Sequence, residues 1–264
     1  MVYTHGHHDS VLESHRNRTI ANSAHYAQKY FTPGTNVLDI GSGPGTITAD
    51  IAKRVAPGEV TAVEINTAAA ELTRAELSRQ RVTNARVVVA DVHNLGFDNK
   101  TFDVVHAHQV LQHVTNPVGA LEEMGRVCRE NGVIAARDSD YGRFDWAPRL
   151  PHLDQWLSLY REAAYANGGE PDAGRYLQQW AYDAGFTDVK ATSSRWEYTT
   201  AEQRQWWGEM WAERILKSDL TSQLLRENRA TQLELEEISA AWRAWLAKPD
   251  AWYVVHHNEI LVTR

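Results

Sequence analysis

Residues 37–48 read VLDIGSGPGTIT, and no other stretch limits the possible folds of this chain so tightly. A short apolar run ending at Ile40 gives way to glycines at 41, 43 and 45, and then to a helical pattern through Val55. An apolar strand core leading through a glycine turn into a helix is the opening unit of an α/β layer structure. The glycines let the backbone turn tightly and come close to a ligand where a Cβ would clash, and the helix start behind them presents unpaired N–H groups. Alone, such a turn is also compatible with a connection that binds nothing.

The unit recurs. Residues 58–65, 85–90, 101–107 and 132–137 read as strands, with helices predicted over 68–80 and 118–130. Continuous apolar strand cores alternating with helices predict a parallel sheet covered on both faces. After residue 140 the pattern changes to helices at 151–167, 172–184, 200–217 and 231–247, with a short strand at 187–191 and a closing strand at 252–263. Thr231 and Glu234 have capping-box spacing. Residues 10–30 carry apolar positions at helical spacing and stop at Thr32-Pro33-Gly34, which predicts one N-terminal helix. All ten tryptophans lie between Trp146 and Trp252, so the two halves of the chain have different tasks.

Composition removes several function classes. The net charge is −7 and no Lys/Arg run could neutralise a phosphate backbone, so no nucleic-acid partner is expected. Cys128 is the only cysteine and no apolar run reaches membrane-spanning length, so the expectation is a cytoplasmic chain with no membrane partner and no intrachain disulfide. The oligomeric state, monomer or homodimer, stays open.

Two details discriminate among ligands for the glycine turn. A dinucleotide fingerprint needs its third glycine at position 46, where this chain has Thr, which weakens a reading as an NAD-dependent oxidoreductase. Asp39 adds a carboxylate at the strand end that would repel a pyrophosphate and suit a ligand with a cationic amino group. S-adenosylmethionine has such a group and no phosphate.

With those residues in place, VLDIGSGPG resembles the first motif of the class I S-adenosylmethionine-dependent methyltransferases, in their ubiquinone/menaquinone C-methyltransferase-like branch. The resemblance implies a Rossmann-like sheet, mostly parallel with its last strand antiparallel, an N-terminal helical lid and a helical insertion before the last strand. It also implies S-adenosylmethionine as cofactor and S-adenosylhomocysteine as product. A single domain over 1–264 follows: a lid (1–32), a donor-binding core (33–145) and acceptor-side helices with closing strands (146–264). In AVEIN, Glu64 would accept both ribose hydroxyls, with Ile65 beside it. In VVVADVHNL, Asp91 would accept the adenine amino group and Val92 would pack on the ring. In FDNKTFDVVHAHQVLQHV, residues just past the strand would face the methionine moiety, among them His106 and Gln109. Asp39 and Asp91 could instead cap a helix or hold a turn.

Methyl transfer is a displacement at a carbon already activated by sulfonium, so positioning can supply much of the rate. A base helps when the acceptor is protic, and His suits that role near neutral pH. His108 is the candidate at the carboxyl edge of the sheet. His113, Asp138, Tyr141, Trp206 and Trp207 are candidates for binding a small aromatic or heterocyclic acceptor, the two indoles belonging to a cluster with Trp196, Tyr198 and Trp211 that suits rigid walls. The alternatives are a packing role for His113 and an insertion core for the tryptophans.

Residues 5–15, HGHHDSVLESH, pose a further question. A metal site needs three or four converging ligands, and no second well-spaced pair supports one here, so no metal is expected. The segment is similar to the YxHGHxxSVLxSHxxRTxxNSA run of a bacterial branch of these methyltransferases. That similarity implies a lid on which Tyr3, His7 and His8 face the acceptor, with His7 and His8 as proton acceptors, while Arg18 meets the donor carboxylate. The function expected is methylation of a small metabolite of specialised biosynthesis. A quinone, protein or tRNA acceptor is the alternative within the same chemistry.

Overall fold

A wholly buried four-residue strand, β1 (Val37–Ile40), lies at the centre of an eight-stranded sheet in the computed structural model, which describes residues 14–264. It pairs in parallel with β2 (Val60–Glu64) on one side and β4 (Phe102–His108) on the other. β3 (Ala85–Val89) extends the β2 side, and β5 (Cys128–Ser139) runs parallel to β4. The order reverses at β1/β4, the switch point outside whose carboxyl ends open α/β sheets bind ligands. β8 (Trp252–Thr263) runs antiparallel between β5 and β7 (Asp188–Tyr198), and short β6 (Asp145–Ala147) pairs its start. The predicted mostly parallel sheet with an antiparallel last strand is therefore present.

Strand alternation decides what each face carries. Val37, Val104 and Ala135 point to one face, where Ile47, Ile51 and Val55 of α2 (Thr46–Val55) cover them together with Ala24, Ala27 and Phe31. Leu38, Val105 and Ile134 point to the other, packed by α4 (Pro117–Val127) and α6 (Leu177–Asp183). α3 (Thr67–Arg79) completes the flank beside β2 and β3. The second half builds a third core from α5 (Pro151–Ala166), α7 (Ala201–Lys217), α8 (Asp219–Arg226) and α9 (Gln232–Leu246). There Trp156 meets Trp211 at 4.5 Å and Trp242 at 5.0 Å edge-to-face, and Trp146 stacks on Tyr253 at 5.5 Å. Capping boxes open α7 at Thr200/Gln203 and α9 at Thr231/Glu234, the second as its spacing predicts.

Three expectations need correction. Residues 10–30 do not form one helix over their described part: α1 (Ile20–Ser23) is followed by a 3-10 segment, His25–Tyr30. Thr19 and Asn22 exchange side-chain and backbone hydrogen bonds, so the polar residues start a new helix rather than continue an old one. β7 runs to Tyr198 rather than stopping at 191, because it pairs with β8 along its whole length despite a polar Thr-Ser-Ser centre. α8, whose Leu220 and Leu224 are buried one turn apart, and the three-residue β6 lie outside the predicted elements. Among the described residues, no helix is long and apolar enough to cross a membrane.

Candidate donor and acceptor site

At the carboxyl ends of β1, β2 and β4 the backbone opens a cleft of about 1150 Å³. Its floor is the glycine turn. Gly41 has φ +67°, and a Cβ there would lie 2.4 Å from Val110 Cγ2; Gly43 has φ +55°, and a Cβ there would meet nothing within 4 Å. The first glycine is needed for packing, whereas the second leaves space over the cleft for a ligand. Gly45 forms the left-handed cap of α2.

Asp39, Glu64, Ile65, Val92, His108, Gln109, Arg18 and His113 all line this cleft with the glycines. Glu64 is buried and accepts hydrogen bonds from the N–H groups of Gly43 and Ile65. Burial pushes its carboxyl above the usual range, against the pull of those two N–H groups. Asp39 accepts from Thr48 Oγ1 at 2.6 Å and from His106 Nδ1 at 2.7 Å, so its carboxylate is fixed from behind.

Three residues expected at the site lie off it. His106 does not line the cleft: it is fully buried, donates to Asp39 and packs edge-on against Phe31 at 5.9 Å. Asp91 is half exposed, and its carboxylate turns back to accept from His93 N at 2.9 Å and to pair with His93 Nδ1 at 2.7 Å. These bonds hold it below the ordinary carboxylate range, and its neighbours Ala90 and Val92 line the cleft in its place. Asp138 borders neither cavity: strand alternation puts it on the face opposite Arg137 and Ser139, and of the three only Ser139 lines a cavity. Tyr3, His7 and His8 lie outside the described residues. Among those described, no cluster of three or more His, Cys, Asp or Glu could hold a metal ion.

A second cavity of about 520 Å³ adjoins the first, sharing His15, Arg18, Gln109 and His113 with it. Its walls include Tyr141, Trp196, Tyr198, Trp206, Trp207 and Trp211. Trp207 stacks on Tyr198 at 4.2 Å, and Tyr141 lies between Phe144 and Tyr160 at 4.3 and 4.2 Å. Trp206 and Trp207 therefore serve both as insertion core and as cavity wall. Arg18 lies over the Trp196 ring, and Arg214 donates to Ser14 Oγ at 2.7 Å. Gln112, Ser139, Arg214 and His257 lie beyond the predicted set. The readable signal for His257 is a polar pair, His257 and Glu259, at the inward positions of an otherwise apolar final strand.

His108 and His113 are not bases poised near neutrality. Burial pushes His108 well below its ordinary value, with Arg18 and Arg137 adding to the shift, and burial and Arg18 push His113 down to about 3. Both rings are neutral; His113 Nε2 lies 3.0 Å from Gln112 Nε2, and the Gln112 Oε1 accepts from Ser139.

The cleft residues fit S-adenosylmethionine. Gly43 leaves room, Ile65 and Val92 offer apolar faces for a purine, and among the described residues the buried Glu64 carboxylate has only backbone donors, which leaves it capacity for hydroxyl groups. Asp39 adds negative charge where an ammonium group would sit.

Residues 31–204 match the family model described as a methyltransferase domain. An uncharacterized methyltransferase of Schizosaccharomyces pombe is 31% identical over 254 residues, covering 93% of this chain and 90% of that protein. A ubiquinone/menaquinone biosynthesis C-methyltransferase of Idiomarina loihiensis is 42% identical over 103 residues, covering 38% of this chain and 41% of its own. Among solved structures, the fold is similar to phosphoethanolamine N-methyltransferase 2 of Haemonchus contortus, solved with phosphomonomethylethanolamine and S-adenosylhomocysteine. The TM-score is 0.55 at 15% identity, over 88% of this chain and 49% of that one. These matches decide against the oxidoreductase alternative.

Proposed function

We infer that this chain, which belongs to the class I S-adenosylmethionine-dependent methyltransferases, methylates a small aromatic or heteroaromatic acceptor held among the tryptophans of the second cavity. The observation that carries the reading is the shared wall: a glycine- and acid-lined cleft opens beside an aromatic cavity, with Gln109 and His113 at the seam. S-adenosylmethionine supplies the electrophilic methyl group when bound. Glu64 takes the ribose hydroxyls, Ile65 and Val92 enclose the adenine, and Asp39 faces the amino group. On the acceptor side, Trp206, Trp207 and Tyr198 orient a planar ring and keep water from the seam. Neutral His108 and His113 accept or donate hydrogen bonds there rather than holding a second positive charge beside a sulfonium.

The acceptor class is tested by incubating the protein with labelled S-adenosylmethionine and a panel of indoles, phenols and quinones, followed by mass spectrometry of the products. Indoles are the favoured class because four indole and two phenol rings line the cavity. With an acceptor from that panel, Trp206→Ala is expected to raise the acceptor KM about tenfold, from the loss of roughly 1–2 kcal/mol of ring burial and stacking. S-adenosylhomocysteine affinity should stay within twofold. Equal losses on both ligands would show that Trp206 supports the fold rather than the acceptor.

A further inference from the structure

β8 brings a side chain to the seam that the reaction scheme above does not use. His257 is fully buried, opposite Ser139 of β5 and Ser194 of β7, with Trp196 edge-on at 4.4 Å and His108 stacked at 6.4 Å. Its Nε2 lies 3.0 Å from Gln109 Nε2. Gln109 leaves β4 at φ +55°, tied by its N–H to the Arg137 carbonyl at 2.6 Å, and borders both cavities.

Two nitrogens this close bond only if one supplies hydrogen and the other a lone pair. An amide nitrogen only donates, so the imidazole Nε2 is the acceptor and the neutral ring carries its proton on Nδ1. Burial, then Arg137 and Arg18, push the ring well below its ordinary pKa. Among the described residues the Gln109 side chain makes no other hydrogen bond, so its carbonyl oxygen is the end presented to the cavities.

We propose that His257 is a positioning residue: by accepting an N–H of Gln109 it presents the Gln109 carbonyl to the seam, where it selects acceptors that carry an N–H or O–H. The selection rests on the methyltransferase reading; the hydrogen-bond geometry does not. An aprotic acceptor would leave that carbonyl dry and unpaired, a cost that commonly reaches tenfold or more.

The test uses the full chain saturated with S-adenosylhomocysteine, and indole and N-methylindole as probes, with binding read by calorimetry. Wild type is expected to bind indole at least tenfold more tightly than N-methylindole. His257→Phe should reduce that preference to within threefold, and His257→Gln, which keeps an acceptor, should restore it; both should hold S-adenosylhomocysteine as wild type does. In parallel, nitrogen NMR of histidine-labelled protein should show one ring protonated on Nδ1 with a bare Nε2, a signal that moves in Gln109→Leu. A His257 ring protonated on Nε2, or a His257→Phe variant that keeps the preference, would overturn the proposal. If neither probe binds, the aromatic-acceptor reading fails, and the NMR signature alone decides the His257–Gln109 geometry.

Discussion

Glu64→Ala is expected to weaken S-adenosylhomocysteine binding at least 100-fold by calorimetry while leaving the thermal midpoint of the ligand-free protein within a few degrees of wild type. The carboxylate stands at the end of β2, buried, with its two oxygens on the N–H groups of Gly43 and Ile65. Each oxygen has capacity for one more donor, and two vicinal hydroxyls would fill it. Hydrogen bonds to a charged group contribute about 1.5–3 kcal/mol each, so two of them less their dehydration leave about 3 kcal/mol, or roughly two decades of affinity. Stability should change little because two effects oppose. Burial raises the Glu64 pKa, so the folded state carries a dehydration cost that alanine removes, while the two backbone N–H groups lose their acceptor. Glu64→Gln keeps one good acceptor and should fall between, near tenfold. Retention of wild-type affinity in Glu64→Ala would place the ligand elsewhere in the cleft.

The donor side of this site was largely legible because its chemistry is local in sequence. Glycines 41, 43 and 45, Asp39, Glu64 and Val92 each sit at a strand end, and strand ends converge on one edge of a parallel sheet. His106, one residue of alternation away from the opening, illustrates the limit: its type and position suggested a ligand contact, yet it is committed to Asp39. Asp91 shows a second limit, since a two-residue turn lets His93 capture the carboxylate, and spacing alone does not distinguish a turn from a binding group. The acceptor side was legible only in kind. Trp196, Tyr198, Trp206 and Trp211 come together because β7 pairs with β8 and α7 folds back over both, and such long-range pairing leaves no local signal. His257 and Gln109, 148 residues apart, meet for the same reason.

Asp138 carries the second large effect, and it concerns stability rather than binding. The residue is fully buried, accepts the Gln112 N–H through Oδ1 at 3.1 Å, and among the described residues has no hydrogen-bond partner on Oδ2. Burial pushes its carboxyl up to about 7, against the Gln112 and Leu111 N–H groups and Arg137. An unfolded aspartate titrates near 3.9, so between about pH 4 and pH 7 the folded chain keeps a proton that the unfolded chain has released. The associated stability is fully present below about pH 4 and is lost as pH rises through about 7. Three pH units at 1.36 kcal/mol each set an upper bound of about 4 kcal/mol. Asp138→Asn mimics the protonated acid, keeps an acceptor for Gln112 and removes the titration, so it should be about 2–4 kcal/mol more stable than wild type at pH 8 in urea unfolding. The two proteins should converge near pH 4. The comparison must be between the two proteins, because His108, His113 and His257, all held neutral by burial, act in the opposite sense and destabilise the fold as pH falls below their unfolded value of about 6.5. That contribution is common to both chains and cancels in the difference. A gap that stays constant from pH 5 to pH 8 would mean that Asp138 is already ionised in the folded state.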